Sequence, residues 1–199
     1  RQRGLTALAH RSADRVPRLL YEEAIGYTPP IERRLREHCA PVTPRAFFAM
    51  DLTAARFRPT ILPRSRFSEW LGTNAATAIA SNQVDEWGVW RRPGDLHHFT
   101  RIEPPLRGLP DFSRLWQYPW PDLDQPYRFD GVREQVVQHH QEGLAVVGYA
   151  GSVFERSWSI RGFEELLMDL LAAPEIAHFL FERTAALQQH AAAQFARAG

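Results

Sequence analysis

The sequence predicts an α/β fold built on parallel strands, and three observations carry that prediction. Val132, Val136 and His140 recur at four-residue spacing, so residues 128–142 read as a helix that Gly143 stops. Leu144-Ala145-Val146-Val147-Gly148-Tyr149 is then a continuous apolar run of strand length, the pattern of a parallel strand buried on both faces. Helical patterns resume at residues 162–172 and again from Pro174 onward. Helix, glycine stop, buried strand and helix is the rhythm of β/α units, for which a right-handed parallel sheet or barrel is the prior.

Taken in order, residues 5–11 read as a short helix. Residues 15–21 read as an apolar strand with Pro17 near its start and Glu22 and Glu23 at its C-terminal end. Gly26, Pro29 and Pro30 mark a loop, and residues 31–39 a short helix. The apolar run at 45–50 ends at Asp51. Residues 55–68, rich in Arg and Pro, read as extended. Small residues from Thr73 to Ser81 lead into Val84-Asp85-Glu86-Trp87-Gly88-Val89-Trp90. Six of the 15 prolines fall within 103–126, which excludes a long helix there. In the helix at 162–172, Phe163, Leu166, Leu167, Leu170 and Leu171 share one side. Pro174 suits the first turn of the last helix, whose buried stripe is Ile176, Phe179, Leu180, Leu187, Ala191 and Phe195.

Composition narrows the chemistry. All 24 basic residues are arginine, which excludes a lysine Schiff base or P-loop lysine within the chain. With 23 acids the net charge is +1, so the chain is not a bulk polycation for nucleic acid. The charge is uneven: residues 1–66 carry 13 Arg against 6 acids, or +7, and residues 67–199 carry −6. That basic third reads either as a face for an anionic partner or as a solvated arginine-rich surface. The single cysteine, Cys39, permits neither an intrachain disulfide nor a CxxC pair, and implies a reducing, cytoplasmic setting. No apolar stretch approaches the roughly 18 residues of a membrane span, and none resembles a signal-peptide core. The first residue is not Met, and a helical pattern runs to Gly199 where a further strand is expected. The expectation is a portion of a longer product.

In a (β/α)8 barrel the chemistry sits at the C-terminal ends of strands. That rule selects Glu22 and Glu23, Asp51, Asp85 and the loop from Gly148 onward. Asp85-Glu86-Trp87 sets two carboxylates beside a large apolar ring, an environment that can serve proton transfer; a loop-capping Asp with a core Trp is the competing reading. Gly148 to Ser152 is a small-residue turn that lets backbone approach a ligand. It is not a GxGxxG fingerprint, and Ser152 has no evident His-Asp partner. His139 and His140 diverge on a helix by about 100° and do not readily share a metal. His97-His98 and His38-Cys39 lack further ligand spacing.

Several segments together resemble the uroporphyrinogen decarboxylase superfamily. They are Asp14-Arg15-Val16-Pro17, Phe48 with Asp51, Val84 to Trp90, Pro105-Leu106, Tyr118-Pro119-Trp120-Pro121-Asp122, Val147 to Gly151, and Ile160 to Leu170. The resemblance implies a (β/α)8 TIM barrel of which this chain, residues 1–199, is roughly the N-terminal half. It implies either decarboxylation of a tetrapyrrole or methyl transfer to or from a corrinoid on a partner protein, and a homodimer. It implies Asp85 as the catalytic carboxylate facing pyrrole N–H groups, and Glu22, Trp87, Gly151, Ser152 and Trp158 as pocket residues, Trp158 standing where the decarboxylases place a Tyr. Leu20-Tyr21-Glu22-Glu23-Ala24-Ile25-Gly26 replaces the family's arginine-bearing substrate loop, which would repel a polyanionic substrate. The methyltransferase branch is therefore the expectation, with a true decarboxylase or an inactive truncated barrel as the alternatives. Its zinc ligands belong to the later half of the barrel, so no metal and no cofactor is assigned to this chain.

Overall fold

The structure, a computed structural model, describes residues 1–19, 29–94, 100–109 and 111–199. The chain is mixed α/β. It runs α1 (Gln2–Leu8), α2 (Pro29–Cys39), α3 (Pro44–Phe47), β1 (Leu52–Ala55), α4 (Ala75–Ala80), β2 (Trp90–Pro93), β3 (Thr100–Glu103), α5 (Val132–Gln141), β4 (Ala145–Gly148), α6 (Val153–Arg161), α7 (Phe163–Ala172) and α8 (Pro174–Ala198). Among the described residues the proline-rich stretch holds only short 3-10 turns, Phe112–Gln117 among them. The chain divides into two compact units. The first is Arg1–Phe57, Phe129–Tyr149 and Ala192–Gly199; the second is Arg58–Arg128 and Ala150–Ala191.

In the first unit β1 and β4 pair in parallel, Leu52 opposite Ala145 through Ala55 opposite Gly148. Ala55 packs with Val132 and Val136 of α5, and Phe57, Phe129, Val146 and Phe195 close over them. Gly148 is required at its place: a Cβ there would fall 2.4 Å from Phe195. The predicted strand at 144–149 is thus present as Ala145–Gly148, but of the run only Leu144 and Ala145 are buried; Val146 and Val147 are half-buried and Gly148 is exposed. Among the described residues the sheet has two strands, too few to cover β4 on both sides.

Two expectations for this unit change. The apolar run at 45–50 is not a strand. Thr43 accepts from the Ala46 amide at 3.2 Å and Pro44 fills the first position, so the chain starts a helical turn instead. The strand begins after Asp51, which therefore stands at its N-terminal end. Residues 15–19 are not a strand either, although they lie along the start of β1: the Asp51 and Leu52 amides donate to the Arg18 carbonyl at 2.9 and 3.2 Å. Pro17 has no N–H to give a ladder, and the Arg18 amide is taken by the Asp51 carboxylate at 3.0 Å. Glu22 and Glu23 lie outside the described residues.

In the second unit β2 and β3 pair antiparallel, Trp90 opposite Glu103. Phe67, Val89, Leu106, Leu115, Ile160, Leu166 and Leu180 are fully buried. Gly162, at φ 109°, separates α6 from α7. Arg161 bridges the break, donating to both Asp169 oxygens at 2.6 and 3.1 Å and to the Leu106 carbonyl at 2.7 Å. That pair rotates α7 from its predicted orientation. Leu166 and Asp169 face inward, while Phe163, Leu167, Leu170 and Leu171 are exposed, Leu171 by 89%. A buried guanidinium needs a carboxylate beside it, and the helix turns to supply one. The stripe of α8 matches prediction: Ile176, Leu180, Leu187 and Ala191 are buried, Phe179 and Phe195 half-buried. Among the described residues no helix is long and apolar enough to cross a membrane.

Candidate functional site

Asp85 is held in a loop that its own side chain shapes. Its Oδ1 accepts from the amides of Trp87 and Val89 at 2.9 and 3.0 Å, and its amide donates to the Val89 carbonyl at 2.9 Å. Gly88 permits the turn, at φ +79° and with Tyr118 and Phe67 where a Cβ would lie. One carboxylate oxygen is therefore committed to the loop. The other, Oδ2, meets the Arg156 guanidinium at 3.2 Å and that of Arg91 at 3.7 Å, and the Asp85 side chain keeps 24% of its surface exposed. Capping and presentation of charge are thus divided between the two oxygens of one carboxylate.

Trp87 is 4% exposed and belongs to the core of this loop. The Arg156 guanidinium lies 4.9 Å from its ring centre, a cation over an aromatic face. Its carbonyl accepts from the buried Tyr118 hydroxyl. Burial, and then the nearby Asp85 carboxylate, push that phenol far above its ordinary value, so it stays a neutral donor.

Arg156 was not singled out by the sequence, yet it joins the predicted residues. It sits on α6 one turn after Ser152, its amide donating to the Ser152 carbonyl at 3.0 Å. Ser152 caps α6, its hydroxyl accepting from the Glu155 amide at 3.4 Å. Gly151, at φ +104°, lets the chain turn into this cap against Gln188. Trp158 lies on the same helix, half-buried, its ring 5.9 Å from Phe163. The structure therefore brings Asp85 and Trp87 to α6 through Arg156, and places Ser152 and Trp158 at either side of that residue on the chain. A serine followed four residues later by an arginine is too common a pattern to have flagged it.

The remaining acids of the motifs have structural work. Asp122 and Glu86 flank Arg128, which is wholly buried and donates to them at 2.9 and 2.6 Å. Burial pushes the Asp122 carboxyl up, but hydrogen bonds from Thr60 and Tyr127 and the charge of Arg128 hold it below its ordinary value. In the first unit Asp51 is 6% exposed and receives Arg3, Arg15 at 2.7 Å and the Arg18 amide. Burial again pushes upward, and these partners outweigh it, so Asp51 too lies below its ordinary value.

Among the described residues no three His, Cys, Asp or Glu side chains gather as metal ligands. Cys39 is buried, and the His38 ring packs against Phe47 at 5.3 Å. His38 and Cys39 do not fit a zinc ion. Compared with models of protein families, with curated proteins and with solved structures, the chain finds no match.

Proposed function

We propose that the chain is the N-terminal part of a (β/α)8 barrel enzyme of the uroporphyrinogen decarboxylase type, of the branch that moves a methyl group to or from a corrinoid. The observation that carries this reading is the division of labour at Asp85. Oδ1 is spent on the loop amides, while Oδ2 meets the Arg156 guanidinium on a side chain that keeps 24% of its surface exposed, where a substrate N–H or O–H can donate. Arg156 positions this oxygen and compensates its charge. Gly151 and Ser152 shape the backbone that leads to Arg156. The parallel pairing of β1 and β4, with α5 packed on the pair, supports a β/α barrel as the frame.

In this reading the partner is a corrinoid protein, two copies of the enzyme associate, and the setting is cytoplasmic. Zinc, where used, is held by residues outside this chain and activates a thiol or alcohol by lowering its pKa. Methyl transfer from methylcobalamin, measured on the protein carrying the remainder of the barrel, tests the reading. Transfer that falls at least roughly tenfold in Asp85→Asn is the expected result; each factor of ten corresponds to about 1.4 kcal/mol of barrier. Absence of both transfer and bound zinc overturns it. The alternative, a true decarboxylase, predicts coproporphyrinogen from uroporphyrinogen in the same preparation.

A further inference from the structure

The first unit contains a cleft of about 720 Å³ that shares no residue with the Asp85 group. Its lining includes Arg36 from the end of α2, Arg45 from α3, Arg56 just past β1 and His139 from the last turn of α5, with the hydroxyl-bearing Thr43 and Thr53. Three arginines and a histidine thus line one space in a chain whose net charge is only +1.

The donors are positioned. Arg45 Nη2 donates to the buried Thr53 hydroxyl at 3.2 Å, which fixes its fork over the strand. The backbone of Arg56 is clamped on both sides by Gln135: the amide donates to Oε1 at 3.1 Å and the carbonyl accepts from Nε2 at 2.9 Å. Acidic side chains already meet part of this group. Glu32 pairs with Arg36 one turn back along α2, and Glu142 Oε2 lies 3.4 Å from Arg45 and 3.3 Å from His139. Glu142, two-fifths exposed, thus occupies with one carboxylate the position that an incoming anion would take.

We propose that this cleft binds a small polyanion bearing two or more carboxylate or phosphate groups, held by Arg36, Arg45, Arg56 and His139. Planar guanidinium forks match the oxygens of either group in bidentate fashion. The volume exceeds that of a single oxyanion, so the ligand carries its charges on a larger body. Binding displaces Glu142 from Arg45 and His139 and exchanges a partly solvated pair for the ligand.

Isothermal titration of the 199-residue chain with citrate and with pyrophosphate at low salt tests this, with acetate as the single-charge reference. One citrate or pyrophosphate per chain is expected, bound at least roughly tenfold tighter than acetate. Arg45→Ala and Arg56→Ala each weaken it by about tenfold or more, and Glu142→Gln tightens it severalfold. The tighter of the two probes identifies the ligand as a polycarboxylate or a phosphate ester. Should the alanine variants fail to fold, Glu142→Gln decides alone, since a misfolded protein does not gain affinity. No saturable binding at millimolar probe, or binding that Glu142→Gln leaves unchanged, overturns the proposal.

Discussion

In the second unit Arg128 is wholly buried and reaches two carboxylates, Glu86 at 2.6 Å and Asp122 at 2.9 Å. In the first unit Arg45 stands one-third exposed at the edge of a cleft, where the Glu142 carboxylate lies against both it and His139. The two arginines are the same chemical group under different electrostatic demands. A guanidinium taken out of water must find its countercharge within the fold, and Arg128 finds it twice. One that keeps contact with solvent can leave part of its charge to a ligand. Burial, more than residue type, therefore separates these two arginines: Arg128 is committed to the scaffold, while Arg45 stays within reach of a ligand.

The largest expected effect comes from breaking the buried set. Arg128→Met leaves Glu86 and Asp122 facing each other with their shared cation gone, and a loss of about 3–5 kcal/mol is expected in urea unfolding. Gly88→Ala is the uncharged counterpart in the same unit. It strains a φ of +79° and places a methyl 2.5 Å from the Tyr118 hydroxyl, for an expected loss of about 2–4 kcal/mol. A smaller loss than for Arg128→Met upholds the comparison; a larger one means that packing outweighs buried charge.

Acid offers a graded test. Asp51 and Asp122 both lie below their ordinary values in the folded chain. Their stabilisation is therefore complete above the unfolded carboxyl pKa of about 3.9 and is lost as pH falls toward the folded values. Stability measured from pH 6 downward should decline below about pH 4, and Asp51→Asn should flatten that decline while lowering stability at neutral pH. The smallest effect on stability is expected for Asp85→Asn, about 1 kcal/mol or less, because the amide oxygen still accepts from Trp87 and Val89. Its effect should appear in activity instead.

Periodic segments were legible in the sequence. The helix at 132–141, the strand at 145–148 and the buried stripe of α8 follow from apolar spacing and glycine stops, signals that are local. Pairings between distant residues were not. Arg156 meets Asp85 across 71 residues, and no pattern within either segment announces it. Apolar spacing places the leucines of α7 inside, whereas the Arg161–Asp169 pair is what is buried on that helix's inner side. The run at 45–50 has strand-like composition but begins at a Thr-Pro cap, and the cap prevails. At the candidate site Asp85 and Ser152 are legible as residues; that one Asp85 oxygen caps the loop while the other meets Arg156, and that Ser152 caps α6, takes the folded geometry.

The contrast between scaffold and site arginines is tested most directly by thermal unfolding of Arg128→Met and Glu142→Gln, each with and without pyrophosphate. Arg128→Met should unfold at a markedly lower temperature and keep the upward shift that the probe gives the parent chain. Glu142→Gln should unfold near the parent temperature and show a larger shift with pyrophosphate. Equal probe-induced shifts in Glu142→Gln and the parent, or a stability loss in Glu142→Gln as large as that in Arg128→Met, would contradict the account.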